Sequence, residues 1–337
     1  MKQCALTLLV AGLATPAFAQ IAMDGFRDEA YGAAKSVQDT GTGFGDANMG
    51  VIDYANGSEL DGAYATVVDG VLHLFLAGNL ESNFNKLEVF VDCAAGGQNR
   101  LRGDNPDVDF SGLNRMGDDG TGNGLLFDAG FEADFWFSMT CGGGPFAFYA
   151  NHAFLLTDGL GSGGYLGTGG AGATGSASFP DSGIAVAIDN SNFAGVTDLD
   201  VTDAANVATG MEIAIPLAFM GHDGTSAVRV CAFINGGGHD WLSNQSVGPM
   251  AGMGNLGDPR FVDLNFVTGD QFFVAVEGSG GGTPCPADLD GDGVVAGGDL
   301  ALLLGGWGGA DGDVDGDGAV GGGDLAIMLG AWGDCPA

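Results

Sequence analysis

Ala63-Tyr-Ala-Thr-Val-Val68, then Asp69-Gly70, then Val71-Leu-His-Leu-Phe-Leu76 spells a β-hairpin. Two runs of aliphatic, aromatic and β-branched residues flank an Asp-Gly pair, which suits a two-residue turn because both central positions of that turn need positive φ. Outward from it the same kind of run recurs. Residues 87–91, 131–139, 146–154, 184–188, 211–215, 228–234, 261–266 and 272–276 are each expected to form strands. Phe131, Ala133, Phe135 and Phe137 alternate with Glu132, Asp134, Trp136 and Ser138, the period of a sheet with one face in water. Between residues 22 and 277 no helical periodicity is sustained, and Gly, Asn and Asp loops join the runs. The expected architecture is mainly β, an antiparallel β-sandwich over residues 20–277.

The 337 residues suffice for one large or two modest domains with a core of their own. Hydrophobic residues make up 45% of the chain and Phe alone accounts for 22 positions, which excludes disorder despite 65 glycines. The formal net charge of −34 excludes electrostatic attraction to nucleic acid or anionic lipid. Residues 1–19 combine Lys2, an apolar stretch and Ala17-Phe18-Ala19 before Gln20, the order of a secretory signal peptide. No later run reaches the roughly twenty apolar residues of a membrane span. A secreted protein, extracellular or held at the cell surface, is expected.

Gly278-Ser-Gly-Gly-Gly-Thr-Pro284 reads as a flexible linker, and residues 285–337 then spell nearly one sentence twice. The first copy is Asp288-Leu-Asp290-Gly-Asp292-Gly293-Val294-Val-Ala-Gly-Gly-Asp299, and the second, 25 positions on, is Asp313-Val-Asp315-Gly-Asp317-Gly318-Ala319-Val-Gly-Gly-Gly-Asp324. Carboxylates at loop positions one, three and five converge on one hard cation. The glycine at six permits the turn, the carbonyl of Val294 or Ala319 at seven adds a ligand, and Asp299 or Asp324 at twelve closes the shell. Two Ca2+ ions are expected. An apolar helix should follow each loop, with Leu302, Leu304, Ile327 and Leu329 packing together and Trp307 or Trp332 sealing each end.

Cys4 falls in the signal segment. In an oxidising compartment Cys285 and Cys335, which bracket the repeat, are expected to be bridged, and Cys93 and Cys141 can form a second pair. Cys231, inside a strand-like run, reads as a small buried hydrophobe.

The repeat departs from a paired EF-hand at two points: the twelfth ligand is Asp, and Cys285-Pro286-Ala287 leaves no room for an entering helix. In both respects residues 285–337 resemble a type I dockerin domain. The resemblance implies a calcium-folded plug that binds a cohesin-like protein or other cell-surface scaffold. Where that family often carries partner-reading side chains, this chain has Gly297-Gly298 and Gly322-Gly323. A second likeness lies in the order of Asp24-Gly25-Phe-Arg-Asp28-Glu29-Ala-Tyr31, Leu72-His-Leu-Phe-Leu76, Leu87-Glu-Val-Phe-Val-Asp92 and Gly210-Met-Glu212-Ile-Ala-Ile-Pro216-Leu217. That order is similar to family 9 carbohydrate-binding and DOMON-like sandwiches, which place sugars, or sometimes haem, on or between their sheets.

A sugar ring packs its axial C–H groups on exposed aromatic planes while its hydroxyls seek carboxylates and amides. Trp136, alternating outward from its Phe neighbours, and Trp241, in the polar loop His239-Asp240-Trp241-Leu-Ser-Asn244-Gln245, are the ligand-binding candidates, with polysaccharide as the partner and core packing as the equal alternative for each. Neither His-Glu-x-x-His nor a Gly-x-Ser-x-Gly elbow occurs among His73, His152, His222 and His239 or elsewhere. Glu132 and Asp134 share a strand face at a spacing usable by a glycosidase, but read more simply as a solvated face. Asp104, Asp107 and Asp109, and Asp198, Asp200 and Asp203, offer two further calcium-binding clusters but read more simply as acidic turns. The reading is a secreted calcium-binding protein whose sandwich binds carbohydrate in extracellular polysaccharide binding or catabolism. The alternatives are a dockerin-tethered glycoside hydrolase and a structural surface or matrix protein.

Overall fold

The computed structural model describes residues 21–45, 57–144, 147–170, 174–192, 204–250, 252–275, 287–289, 294–309, 312, 314 and 319–334. The expected signal peptide and the linker lie outside the described residues, as do Cys285 and Cys335 with their expected bridge. In chain order the elements begin with strands β1 (Ser36–Val37), β2 (Glu59–Val68), β3 (Val71–Asn79) and β4 (Asn83–Asp92), followed by a short helix α1 (Gly112–Arg115). Next come β5 (Phe135–Gly142), β6 (Ala147–Phe154), β7 (Gly163–Gly169), β8 (Thr174–Phe179), β9 (Ile184–Asp189) and β10 (Gly210–Pro216). The body closes with α2 (Leu217–Met220), β11 (Val228–Asn235), β12 (Leu242–Ser246) and β13 (Phe273–Ala275). Past residue 286 lie β14 (Val294–Val295), α3 (Gly297–Gly305), α4 (Gly322–Gly330) and β15 (Gly333–Asp334).

The protein is mainly β, with two antiparallel sheets. One runs β1-β2-β3-β10-β9-β8 and the other β12-β11-β4-β5-β6-β7, with β13 on β11. The hairpin forms as read: Asp69 (φ 51°) and Gly70 (φ 73°) turn β2 into β3, and Val68 pairs with Val71. Leu72, Leu74 and Leu76 of the first sheet meet Leu87, Val89, Val91, Phe135, Phe137 and Met139 of the second, all fully buried. Each such side chain contributes about 1.5–3 kcal/mol of burial. Two of the four stretches that carry the second likeness touch. The buried Glu212 carboxylate of β10 accepts the backbone N–H of Asp24 and Gly25, both at 2.8 Å, and the Tyr31 hydroxyl at 2.9 Å, pinning the opening segment to the sheet.

Four expectations need correction. The face carrying Trp136 and Ser138 is not wet, because residues 98–133 and 252–267 fold over it as a second core containing Phe90, Trp136, Phe233, Phe127, Phe131 and Leu264. This irregular cover satisfies its backbone through side chains: Asn99 Nδ2 donates to the carbonyls of Phe127, Asp128 and Phe131, and Asp134 accepts from the N–H groups of Cys93 and Ala94. In place of the strand expected over 261–266 there are two 3-10 turns, Pro259–Phe261 and Leu264–Phe266, started by Asp258 and Asp263, whose carboxylates accept the N–H two residues on. The Gly-rich strand β7 and the Gly/Ser-containing β8 carry too few apolar residues to announce themselves. Cys93 and Cys141 are free and buried. Val91 pairs with Phe135 and Lys86 with Thr140, so the two thiols flank that stretch of the ladder at opposite ends. At about 3.3 Å per residue the intervening strand puts them roughly 26 Å apart, and a disulfide needs Cα atoms within about 7 Å.

In the repeat, α3 and α4 pack through Leu303 and Met328, with Ala287, Val295 and Val320 beneath them. Leu302 (50% exposed), Leu304, Ile327 and Leu329 point outward instead of packing together, and Trp307 and Trp332 are half-exposed rather than sealing the ends. The apolar runs are longer than the one-residue-per-turn stripe that so small a core can cover. No helix among the described residues is long and apolar enough to cross a membrane.

Candidate functional site

The cover over the second sheet stops short of one end, and a cleft of about 500 Å³ opens there. Lys86, Thr140 and Asn151, from adjacent strands β4, β5 and β6, make its polar floor; Phe84, Tyr149 and Tyr165 stand around it; Asp109 and Phe110 close it from the cover. Phe110 is 91% exposed and Tyr165 59%. The Phe84 ring lies 6.4 Å from that of Tyr149 and sits over Gly142, where a Cβ would come within 2.4 Å of it.

Behind the floor runs a chain of charges. Lys86 Nζ donates to Asp109 Oδ2 at 2.7 Å, His239 Nε2 to the same oxygen at 2.9 Å, and His239 Nδ1 to Glu88 Oε1 at 2.6 Å. Trp136 Nε1 donates to Glu88 Oε2 at 2.8 Å. Burial opposes the charge on His239, but the Glu88 carboxylate and the bonds to both acids outweigh it and hold the imidazolium pKa up at about 9. For Asp109, burial works against the anion, yet hydrogen bonds from His239 and Lys86 bring it down to about 2. Two cations and two anions therefore neutralise one another beside the cleft.

Three consecutive left-handed residues, Asp109 (φ 44°), Phe110 (φ 56°) and Ser111 (φ 61°), bring the cover to this point. Such conformations cost on the order of 1–3 kcal/mol each and persist where surrounding bonds over-determine them. Here Lys86 and His239 hold Asp109, and Ser111 Oγ donates to Asp107 at 2.6 Å. Gly112 follows because a Cβ there would fall 2.1 Å from the His239 ring. Gly112→Ala should push the imidazole from between its two carboxylates and cost about 1–3 kcal/mol, read as a lowered urea midpoint.

Of the expected ligand-binding residues, Trp136 is fully buried and serves Glu88, which corrects its reading as a stacking plane. Trp241 is 53% exposed on the turn after β11 but does not line the cleft. Glu132 and Asp134 precede β5 rather than sharing its face, and Asp134 anchors backbone. The His152 ring packs on those of Phe135, Phe154 and Phe219.

In the repeat, Asp299 accepts the N–H groups of Leu289 and Ala296, both at 2.7 Å, and Asp324 accepts those of Val314 and Gly321 at 2.7 and 2.6 Å. The two copies thus hold their twelfth-position carboxylates by equivalent backbone bonds. Asp288, Val294 and Ala319 are also described; Asp290, Asp292, Asp313, Asp315 and Asp317 lie outside the described residues. Among the described residues no group of three or more His, Cys, Asp or Glu gathers as a metal site.

Sequence reasoning passed over Phe84, Lys86, Asp109, Phe110, Tyr149 and Tyr165 as a set. Only the exposed aromatics in a polar, Gly-rich setting offered a local signal. Compared with protein-family models, with curated proteins and with solved structures, the chain matches none.

Proposed function

We propose that this protein binds carbohydrate in the cleft of its second sheet and is held in an extracellular polysaccharide-handling assembly by its C-terminal repeat, folded on two Ca2+ ions. The observation that carries the first half is the cleft itself, with rings of Phe84, Phe110, Tyr149 and Tyr165 around a floor of Lys86, Thr140 and Asn151. Stacking planes beside paired donors and acceptors suit a neutral polyhydroxylated ligand, and the charge-balanced network behind the floor gives an anion no advantage. Binding is favoured over hydrolysis because, among the described residues, Asp109 alone of the acids lines this cleft, and its carboxylate is held at about 2, too weak a base and never the acid at neutral pH. For the second half, Leu302, Leu304 and Trp307 recur 25 positions on as Ile327, Leu329 and Trp332, all exposed. Two equivalent apolar faces suit docking to a cohesin-like protein or other cell-surface scaffold.

Tyr165→Ala and Phe110→Ala should each weaken glycan binding about tenfold, or about 1.4 kcal/mol. Stability should stay within about 0.5 kcal/mol of wild type because both rings are exposed. Titration of the wild type and both variants against a glycan panel checks this. Cleavage of a bound glycan would favour the tethered glycoside hydrolase; absence of binding to any glycan would favour a surface or matrix role.

A further inference from the structure

On the outer face of the first sheet, away from the cleft, three acceptor oxygens are buried with no donor. Leu60 of β2 points into the inter-sheet core, so Glu59 and Asp61 on either side of it point to the opposite face. The ladder shifts register between Leu60 and Gly62, so Asp61 is an extra, bulged residue that carries its carboxylate toward Glu59. Across the ladder Glu59 pairs with Asn79 of β3, which shares the outward parity of Phe75 and Ala77. Glu59 and Asp61 are 2% exposed and Asn79 0%. Glu59 Oε2, Asp61 Oδ2 and Asn79 Oδ1 have no hydrogen-bond partner. The Asn79 amide is not free to turn and supply a donor, because its Nδ2 already donates to the Asn192 carbonyl.

No Lys, Arg or His among the described residues pairs with either acid. The Thr42 N–H donates to the Glu59 carboxylate, which favours its charged form, while burial and then the neighbouring Asp61 charge push its pKa up. Burial and then Asp39, at the rim, do the same to Asp61. Two desolvated carboxylates without a counter-charge cost several kcal/mol, and a buried amide oxygen left unpaired adds about 1–3 kcal/mol. A cation removes all three penalties together. The donors are oxygens only, two of them anionic and one an amide carbonyl, the set that a hard divalent ion takes and softer metals do not.

We infer that Glu59, Asp61 and Asn79 bind one calcium ion on the outer face of the first sheet, a site separate from the C-terminal repeat. The ion ties the start of β2 to the end of β3.

The test counts calcium on the full chain by equilibrium dialysis and elemental analysis, comparing wild type with Glu59→Gln/Asp61→Asn. The difference is expected to be one ion per chain, whatever the repeat binds. Calcium should also raise the melting temperature of the sandwich in the wild type and not in the double variant. Because that variant can misfold, Asn79→Asp supplies an independent reading. A third carboxylate should tighten calcium binding and enlarge the melting shift if an ion sits there. If the acids share a proton instead, Asn79→Asp should lower the melting temperature equally with and without calcium, and the ion count of the double variant should equal that of wild type; either result overturns the site.

Discussion

Chelation of calcium is expected to unfold residues 285–337 while the two-sheet body stays folded. Among the described residues the repeat's core rests on five buried side chains, Ala287, Val295, Leu303, Val320 and Met328, and its two helices span nine residues each. A module of that size gains only a few kcal/mol from its core, about 3–5 kcal/mol at best. Opposing this are the four carboxylates of each loop, Asp288, Asp290, Asp292 and Asp299 in one and Asp313, Asp315, Asp317 and Asp324 in the other, whose mutual repulsion resists the turn without a cation. On the proposed reading binding is coupled to folding, so removing the metal should take away the larger share of the stabilisation. Hydrogen exchange should show protection lost over α3 and α4 in chelator and restored by calcium, with β2–β6 and β11 still protected. Asp288→Ala with Asp313→Ala should reproduce the chelated state in calcium and abolish capture of a cohesin-like partner. Retained protection of both helices in excess chelator would remove calcium from the account of this repeat.

Breaking the charge chain behind the cleft should have the next largest effect. Glu88→Ala leaves the His239 imidazolium buried with Asp109 as its one remaining acid and strips Trp136 Nε1 of its acceptor. Removing one partner of a buried pair costs about 3–5 kcal/mol, far more than the intact pair is worth over an apolar substitute. The pH dependence carries the sign. The folded pKa of His239, about 9, lies above its ordinary value of 6.5, so its contribution is complete below 6.5 and is lost as the pH rises through 9. The full difference is on the order of 3 kcal/mol. Asp109 behaves oppositely: its carboxylate is held at about 2 against the ordinary 3.8, so its contribution is present above 3.8 and fades as the pH falls through 2. Urea midpoints measured from pH 6 to 10 should fall for the wild type and stay flatter for His239→Gln. A wild-type midpoint that does not change across that range would mean that His239 is neutral and that the network is held by hydrogen bonds alone.

Local chemistry was enough to read the hairpin and most of the strands. The Asp69-Gly70 turn, the runs at β4, β5, β9, β10 and β11, and the apolar runs that form α3 and α4 each depend on a few neighbouring residues, so their physics is written in adjacent letters. Strand β7 was not legible because Gly163-Gly-Tyr-Leu-Gly owes its place to pairing with β6 rather than to its own propensity.

From adjacent residues alone it follows that the protein is mainly β and that residues 285–337 repeat an acidic segment followed by an apolar run, which forms α3 in one copy and α4 in the other. Which faces meet water depends instead on contacts between distant segments. Alternation tells which residues share a face, not what lies over it, so Trp136 read as exposed and is fully buried under the segment that precedes its own strand. The cleft was decided in the same way: His239 meets Glu88 across 151 positions and Asp109 across 130, and no local pattern records contacts formed only when two distant loops are laid over one sheet.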